Sequence, residues 1–363
     1  MKERHIGLDV LRIFLALMVT SIHFIWSIDV LCTTFPEGIA GHFLLFLKAL
    51  CFPAVNSYIL ISGYFSFANR KTFPQILKRL LQLWFCLLFA QMLGYTAALA
   101  THHDSFNFLT LFKRFFPLSR GIWWFMSVYF AMMALSPALN WVLDNLTKRQ
   151  YLVMMSLSLI ICSIIPFFAR FESPLGLTFG AGGLIWFIVL YLTGGGLYKF
   201  YSINSSKQGR LSLFTIGGYI FFTLYLYFSP TIHNTLGISN LTSYSYNSII
   251  VYVQAVMLFL FFRGIKIGNI RASRAISFIA GLSFSTYIYH CQEDVIHYFW
   301  QYLLPERYAE GSMLLVAFSA LVLGVYLLSF LIEMARRSLF SLGDLENKAL
   351  NRVMQWITPI IAR

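Results

Sequence analysis

Apolar stretches of about 20 residues recur along the whole chain, separated by short segments in which Lys, Arg, Asn, Ser and Pro collect. Each is long enough to cross a hydrocarbon core as a helix. Ten are legible, at roughly 8–28, 43–67, 77–100, 121–143, 151–169, 178–200, 211–229, 246–264, 275–299 and 312–334. The pattern predicts an all-α, polytopic integral membrane protein with about ten transmembrane helices. After Glu333 the pattern changes: Leu342, Leu345, Ala349, Val353, Trp356, Ile357 and Ile360 return at helical spacing, with Arg337, Lys348 and Arg352 elsewhere. That tail reads as an amphipathic helix on the inner leaflet, with docking to a partner as its alternative. The expected organisation is one membrane domain over 1–334 and a cytoplasmic tail over 335–363.

Composition agrees with this reading, since 58 % of the 363 residues are apolar and 11 % are charged. No water-soluble domain of this size sustains that balance. The formal charge of +13 would suit nucleic acid, but the cations fall in short clusters between apolar runs, as in cytoplasmic loops. With the N-terminus inside, 20 of the 27 Lys and Arg lie in inner segments and only Lys113, Arg114, Arg120, Arg170 and Arg307 in outer ones. Both termini are therefore expected in the cytoplasm, and the first span is expected to stay uncleaved.

Cys32, Cys51, Cys86, Cys162 and Cys291 are scattered singly and read as small buried residues rather than a disulfide or zinc framework. Gly180, Gly182, Gly183 and Gly194, Gly195, Gly196 flank the sixth span, where close helix packing is their expected role. The outer loops, the longest at 101–120 and 229–245, read as short and polar. Trp123 and Trp124 stand where an outer aromatic belt would place them.

Ionisable groups inside spans mark candidate chemistry, because they are costly to keep in a bilayer. The first span carries Arg12 and His23. Eleven residues of α-helix turn through three turns plus about 20°, so the two share a face roughly 16 Å apart. The ninth span carries His290, about as far from its inner end as His23 is from the start of the first, which predicts two imidazoles meeting at similar depth. Glu293 and Asp294 would follow on the same helical face, where either carboxylate could fix the tautomer. His297, one turn further, gives that face the spacing of a metal site; chance and an outer-interface position explain it as well, and no metal is expected. Lys78 and Arg79 open the third span level with Arg12. The positive-inside rule accounts for them, and so does a vestibule holding the phosphates of a nucleotide-bearing donor.

These residues resemble the acyltransferase-3 family of integral membrane acyltransferases. The family's first-span signature, an Arg, ten residues and a His, matches Arg12 to His23 in LDVLRIFLALMVTSIH. ISGYF (61–65) is similar to its Ser-Gly-Tyr segment and FPQILKRLLQLW (73–84) to its Arg-x-x-Arg motif. WWFMSVYFAMMALSPALN (123–140) resembles the fourth span of the glycan-modifying members, and STYIYH (285–290) their late Tyr-x-x-His segment. Two positions depart from the pattern: the second Arg of the third-span motif is Gln82, and the acidic residue that often follows the late His is Cys291.

The resemblance covers nearly the whole chain, without a fused extracytoplasmic hydrolase domain. It implies an O-acyltransferase, most often an O-acetyltransferase, moving acetyl from cytoplasmic acetyl-CoA to a hydroxyl of a lipid-linked or surface glycan at a bacterial inner membrane. It further implies His23 as general base or transient acyl carrier, His290 with Glu293 positioning the acceptor or assisting proton transfer, and Arg12, Lys78 and Arg79 holding the donor. Membrane lipids are expected partners, nucleic acid is not, and a homo-oligomer stays open. Rival readings are a lipid-linked glycan transporter or flippase, in which the same charges form a path, and a glycan polymerase. The first is disfavoured by the lack of an internal repeat, the second by the lack of a large outer loop.

Overall fold

Backbone amides inside a bilayer have no water to bond, which leaves helices as the natural form for these apolar runs. The computed structural model describes residues 5–31, 38–166, 183–201, 208–236, 244–300, 312–341 and 345–361, and among them there is no strand. In chain order the helices are α1 (Ile6–Leu31), α2 (Gly38–Cys51), α3 (Ala54–Ala68), α4 (Phe73–Ala100), α5 (Phe108–Arg114), α6 (Trp124–Asn145) and α7 (Lys148–Leu159). They continue as α8 (Leu184–Phe200), α9 (Gln208–Leu236), α10 (Ile249–Arg263), α11 (Ile270–His290), α12 (Ser312–Ser341) and α13 (Leu345–Ile361). Two π-helical turns, Ile160–Ile164 and Val295–Phe299, follow α7 and α11.

Starts of spans are written locally. Thr147 and Gln150 form a reciprocal capping box before α7, the Thr147 N–H donating to Gln150 Oε1 at 2.9 Å and the Gln150 N–H to Thr147 Oγ1 at 3.3 Å. At α4, Gln75 Oε1 accepts from the Thr72 N–H at 3.1 Å.

Among the described residues, six segments are long and apolar enough to cross a membrane: Ile6–Ile28, Gly38–Ala68, Phe73–Ala100, Trp124–Asn145, Gln208–Ile232 and Met313–Ser341. Leu184–Phe200 and Ile249–Arg263 are apolar but shorter. The chain is thus an all-helical, multi-pass membrane protein. Of the other expected spans, the ninth is α11 and its following turn, whose N-terminal end carries Arg271 and Arg274, and the fifth is described only to residue 166. Lys2, Arg4, Cys32, Arg170, Gly180, Gly182, Lys207, Arg307, Leu342 and Arg363 lie outside the described residues.

The chain divides into two compact units, one of residues 1–70 with 138–281 and the other of 71–137 with 282–363. In the first, α3 and α8 touch along a glycine seam. A Cβ on Gly63 would fall 2.1 Å from the Tyr191 carbonyl oxygen, and one on Gly194 would fall 2.1 Å from that of Leu60. Neither backbone oxygen can withdraw, so both positions require glycine, the packing role expected of the 194–196 run. Polar side chains lock the same seam: the Tyr191 hydroxyl lies 2.7 Å from Ser66 Oγ and 2.9 Å from Asn140 Oδ1. Cys51, Cys86, Cys162 and Cys291 are buried, as expected, and form no disulfide among the described residues.

In the second unit, the carboxylate of Glu333 on α12 is buried and accepts from five donors. Arg336 Nε and Nη2 lie at 2.9 Å, Arg337 Nε at 2.8 Å, the Tyr289 hydroxyl at 3.1 Å and Cys86 Sγ at 3.7 Å. Trp123 corrects an expectation. It is fully buried rather than interfacial, its indole N–H donating to the Ile288 carbonyl at 3.3 Å. The 101–120 loop is not simply polar either. On and beside α5 it exposes Phe106, Phe108, Leu109, Phe112, Phe115 and Phe116, a face suited to lipid rather than water. In the tail helix α13, Leu350 is buried while Trp356 is exposed.

Candidate active site

In the first unit, α1 runs without a break from Ile6 to Leu31, so Arg12 and His23 occupy one helical face, three turns apart. Arg12 is not a lone cation reaching for water. Its Nη1 donates to Asp9 Oδ1 at 2.7 Å, and the guanidinium lies 4.9 Å from the centroid of the Phe65 ring. Asp9 is buried, and its other oxygen accepts from Ser277 Oγ at 2.8 Å. The Tyr58 hydroxyl donates to the Arg12 carbonyl at 3.2 Å. The side chain of Arg12 keeps one-third of its surface (33 %) exposed, so its charge is aimed by neighbours yet still open to a ligand. His23 is half-buried, and its backbone carbonyl accepts from Ser27 Oγ at 2.8 Å.

In the second unit, α11 ends at His290 itself. The imidazole is buried; Nδ1 bonds to the carbonyl of Thr286 one turn back, and the ring lies against Tyr287 and Trp300. A carbonyl only accepts, so the proton sits on Nδ1 and Nε2 carries the lone pair in the neutral ring. Trp300 Nε1 donates to the His290 carbonyl at 2.8 Å, closing the end of the helix.

This geometry overturns the shared helical face expected for His290, Glu293 and Asp294. The helix stops, and the chain re-enters helical form only in the turn that leads to Val295–Phe299. A backbone carbonyl, not Glu293 or Asp294, holds Nδ1. Asp294 is committed to Arg114, and His297 is exposed on the π turn, so the His290–His297 metal face of a continuous helix does not form.

The cations that open α4 have company that their sequence neighbourhood does not reveal. Lys78 Nζ donates to Asn351 Oδ1 of α13 at 3.2 Å, and Arg79 is exposed. Just before α4, burial and then the charge of Arg79 push the Lys71 ammonium down to about 8 from its ordinary 10.5. Between those values the unfolded chain holds a proton that the folded chain lacks, so this residue makes folding more favourable as pH rises through that window. The melting temperature of detergent-solubilised protein should therefore climb relative to Lys71→Met between about pH 8 and pH 10. A difference that stays constant across the range would contradict this.

A family model described as an acyltransferase domain matches residues 5–334. The chain belongs to the acyltransferase-3 family. No curated protein matches it, and no solved structure does. For this membrane acyltransferase the signature segments take on separate physical jobs. Arg12 and His23 ride on α1, and ISGYF supplies the Gly63 contact together with the Phe65 ring beside Arg12. STYIYH forms the last turns of α11.

The fold adds Asp9, Arg114 and Glu333 to these residues, and it gives Asp294, expected beside the imidazole, Arg114 as its partner instead. Asp9 had a signal, lying three residues before Arg12 in an otherwise apolar run. The Arg114–Asp294 pair and the Tyr289–Glu333 bond join residues 180 and 44 positions apart, and nothing local announces them.

Proposed function

We propose that this membrane acyltransferase is an O-acetyltransferase that moves acetyl from cytoplasmic acetyl-CoA to a hydroxyl of a cell-envelope glycan, such as an O-antigen, capsule or exopolysaccharide unit, in a bacterial inner membrane. One observation carries the reading: a single unbroken helix bears a guanidinium, braced by buried Asp9, and an imidazole three turns further on. A phosphate-bearing donor with an extended thioester arm fits that separation of roughly 16 Å. Arg12, with Lys78 and Arg79, binds the phosphates, since a guanidinium matches phosphate oxygens two at a time.

His23 acts as general base or as transient acyl carrier. As base, it takes the proton of the acceptor hydroxyl while that oxygen attacks the thioester carbonyl. The carbon–sulfur bond breaks, and the departing thiolate receives the proton, leaving the ester and the free thiol. As carrier, the ring nitrogen attacks the acyl carbon and expels the thiolate as the carbon–sulfur bond breaks; the acceptor hydroxyl then displaces the ring nitrogen, and its proton passes to the thiolate, leaving the ester and the free thiol. His290, with its proton fixed on Nδ1, offers Nε2 to the acceptor, and Glu293 assists in positioning it.

The test is transfer in a defined system. Purified protein in lipid vesicles is given acetyl-CoA labelled in the acetyl group and glycan extracted from a strain lacking the gene. Base-labile label in the glycan is the expected result. Glycan that stays unlabelled, or that changes only in chain length or location, would refute the assignment.

A further inference from the structure

Two residues past His290, the second unit holds a polar cluster that the proposed reaction has not yet used. Arg114 from α5 and Asp294 are both buried and meet through two bonds, Nη1 to Oδ2 at 2.5 Å and Nη2 to Oδ1 at 2.7 Å. Gln292 donates to Asp294 Oδ2 at 2.7 Å and accepts from the Val295 N–H at 2.9 Å. On α4, Gln91 Oε1 accepts from Arg114 Nη1 at 3.1 Å and from Gln292 Nε2 at 3.4 Å. Gly94, one turn on from Gln91, makes room for Gln292, whose amide would lie 2.3 Å from a Cβ there. The cluster is charge-balanced, and Glu293 lies within electrostatic reach of Arg114.

Two donors of this cluster remain over. Gln91 Nε2 and Arg114 Nε have no hydrogen-bond partner among the described residues, although Gln91 is fully buried and Arg114 is only 3 % exposed. An unanswered buried donor costs more than a typical hydrogen bond returns, so a pair of them in a cluster built on the segment that follows a candidate catalytic histidine asks for an oxygen-bearing ligand. Gln91 lies 13 residues past Lys78 on the same helix, about 20 Å from that cation. The ligand end served here is therefore the acceptor rather than the nucleotide.

We propose that Gln91 Nε2 and Arg114 Nε form a subsite for an oxygen of the acceptor saccharide, a hydroxyl or a carboxylate close to the hydroxyl that is acylated. This rests on the acyltransferase reading above. An amide N–H and a guanidinium Nε–H are directional donors without acceptor character, so the pair selects an oxygen at a defined place on the sugar and fixes which hydroxyl faces His290. Arg114 has a second function through Asp294: it holds the segment that follows the histidine.

The test is kinetic, on full-length protein in vesicles with labelled acetyl-CoA and glycan from a strain lacking the gene as the acceptor. Gln91→Met removes the donor at similar length, and with it the Oε1 acceptor, so the melting temperature should fall somewhat; the acceptor KM should rise at least tenfold while the acetyl-CoA KM stays at its wild-type value. Gln91→Asn keeps the amide but shortens it, and an intermediate acceptor KM is expected. An unchanged acceptor KM in both variants would overturn the subsite. So would parallel losses in both KM values and the melting temperature, which mark a purely structural cluster. If Gln91→Met does not accumulate, Gln91→Asn decides by the same readouts. Failure of the wild-type protein to transfer label removes the acyltransferase reading itself, and the subsite with it.

Discussion

Replacing His23 with alanine is expected to reduce acyl transfer to background while leaving the protein folded and in the membrane. General acid–base catalysis by a placed imidazole contributes about 10²–10⁴-fold, and an obligatory acyl carrier would contribute more. The structural cost should be small. His23 is half-buried, and the bond that ties this turn to Ser27 uses the backbone carbonyl, which alanine retains. Alanine is also the best helix former. Transfer of labelled acetyl, normalised to protein recovered from size-exclusion chromatography, is the measurement. Activity within threefold of wild type would remove His23 from the reaction. Mass spectrometry of wild-type protein quenched without acceptor separates the two roles, since only a carrier retains the acyl group.

Asp294→Ala should have the largest effect on stability. The substitution leaves the Arg114 guanidinium buried with its two strongest bonds gone, and stranding one member of a buried pair costs about 3–5 kcal/mol. Little folded protein is expected. The pair as a whole is worth much less, because each ion gave up hydration to enter it. Arg114→Met combined with Asp294→Ala should therefore recover most of the lost stability. Thermal unfolding in detergent, comparing wild type, the single variant and the double variant, checks this. A single variant as stable as wild type would mean that the cluster is open to water. The double variant also divides architecture from chemistry, since it should fold yet bind the acceptor glycan poorly.

Local signals in the sequence account for a definite share of this molecule. The length and purity of the apolar runs mark α1, α4, α6, α9 and α12, because a bilayer imposes its thickness directly on composition. Helical arithmetic puts Arg12 and His23 on one face, since α1 contains no residue that interrupts it. The Gly194 run reads as packing because small residues in spans have few other uses. What stayed hidden involves partners remote in sequence or a change of backbone form. Continued apolar and aromatic residues after His290 suggest a helix that carries on, yet the chain breaks there and resumes through a π turn. The tryptophans at 123 and 124 look alike in sequence, but only tertiary packing decides that Trp123 closes over the Ile288 carbonyl. Lys78 looks like a loop cation until the tail helix brings Asn351 to it.

The bond between Arg114 and Asp294 has a consequence for how the protein is made. Its two ends are 180 residues apart in the chain, and ribosomes add about 5–20 residues per second. Arg114 therefore emerges roughly 10–40 s before the carboxylate that neutralises it. During that interval the guanidinium has to stay at the headgroups or beside the insertion machinery. The α4–α5 segment can then settle only once the nascent chain has reached the turn that follows His290, so the order of synthesis dictates the order of assembly around the candidate histidine.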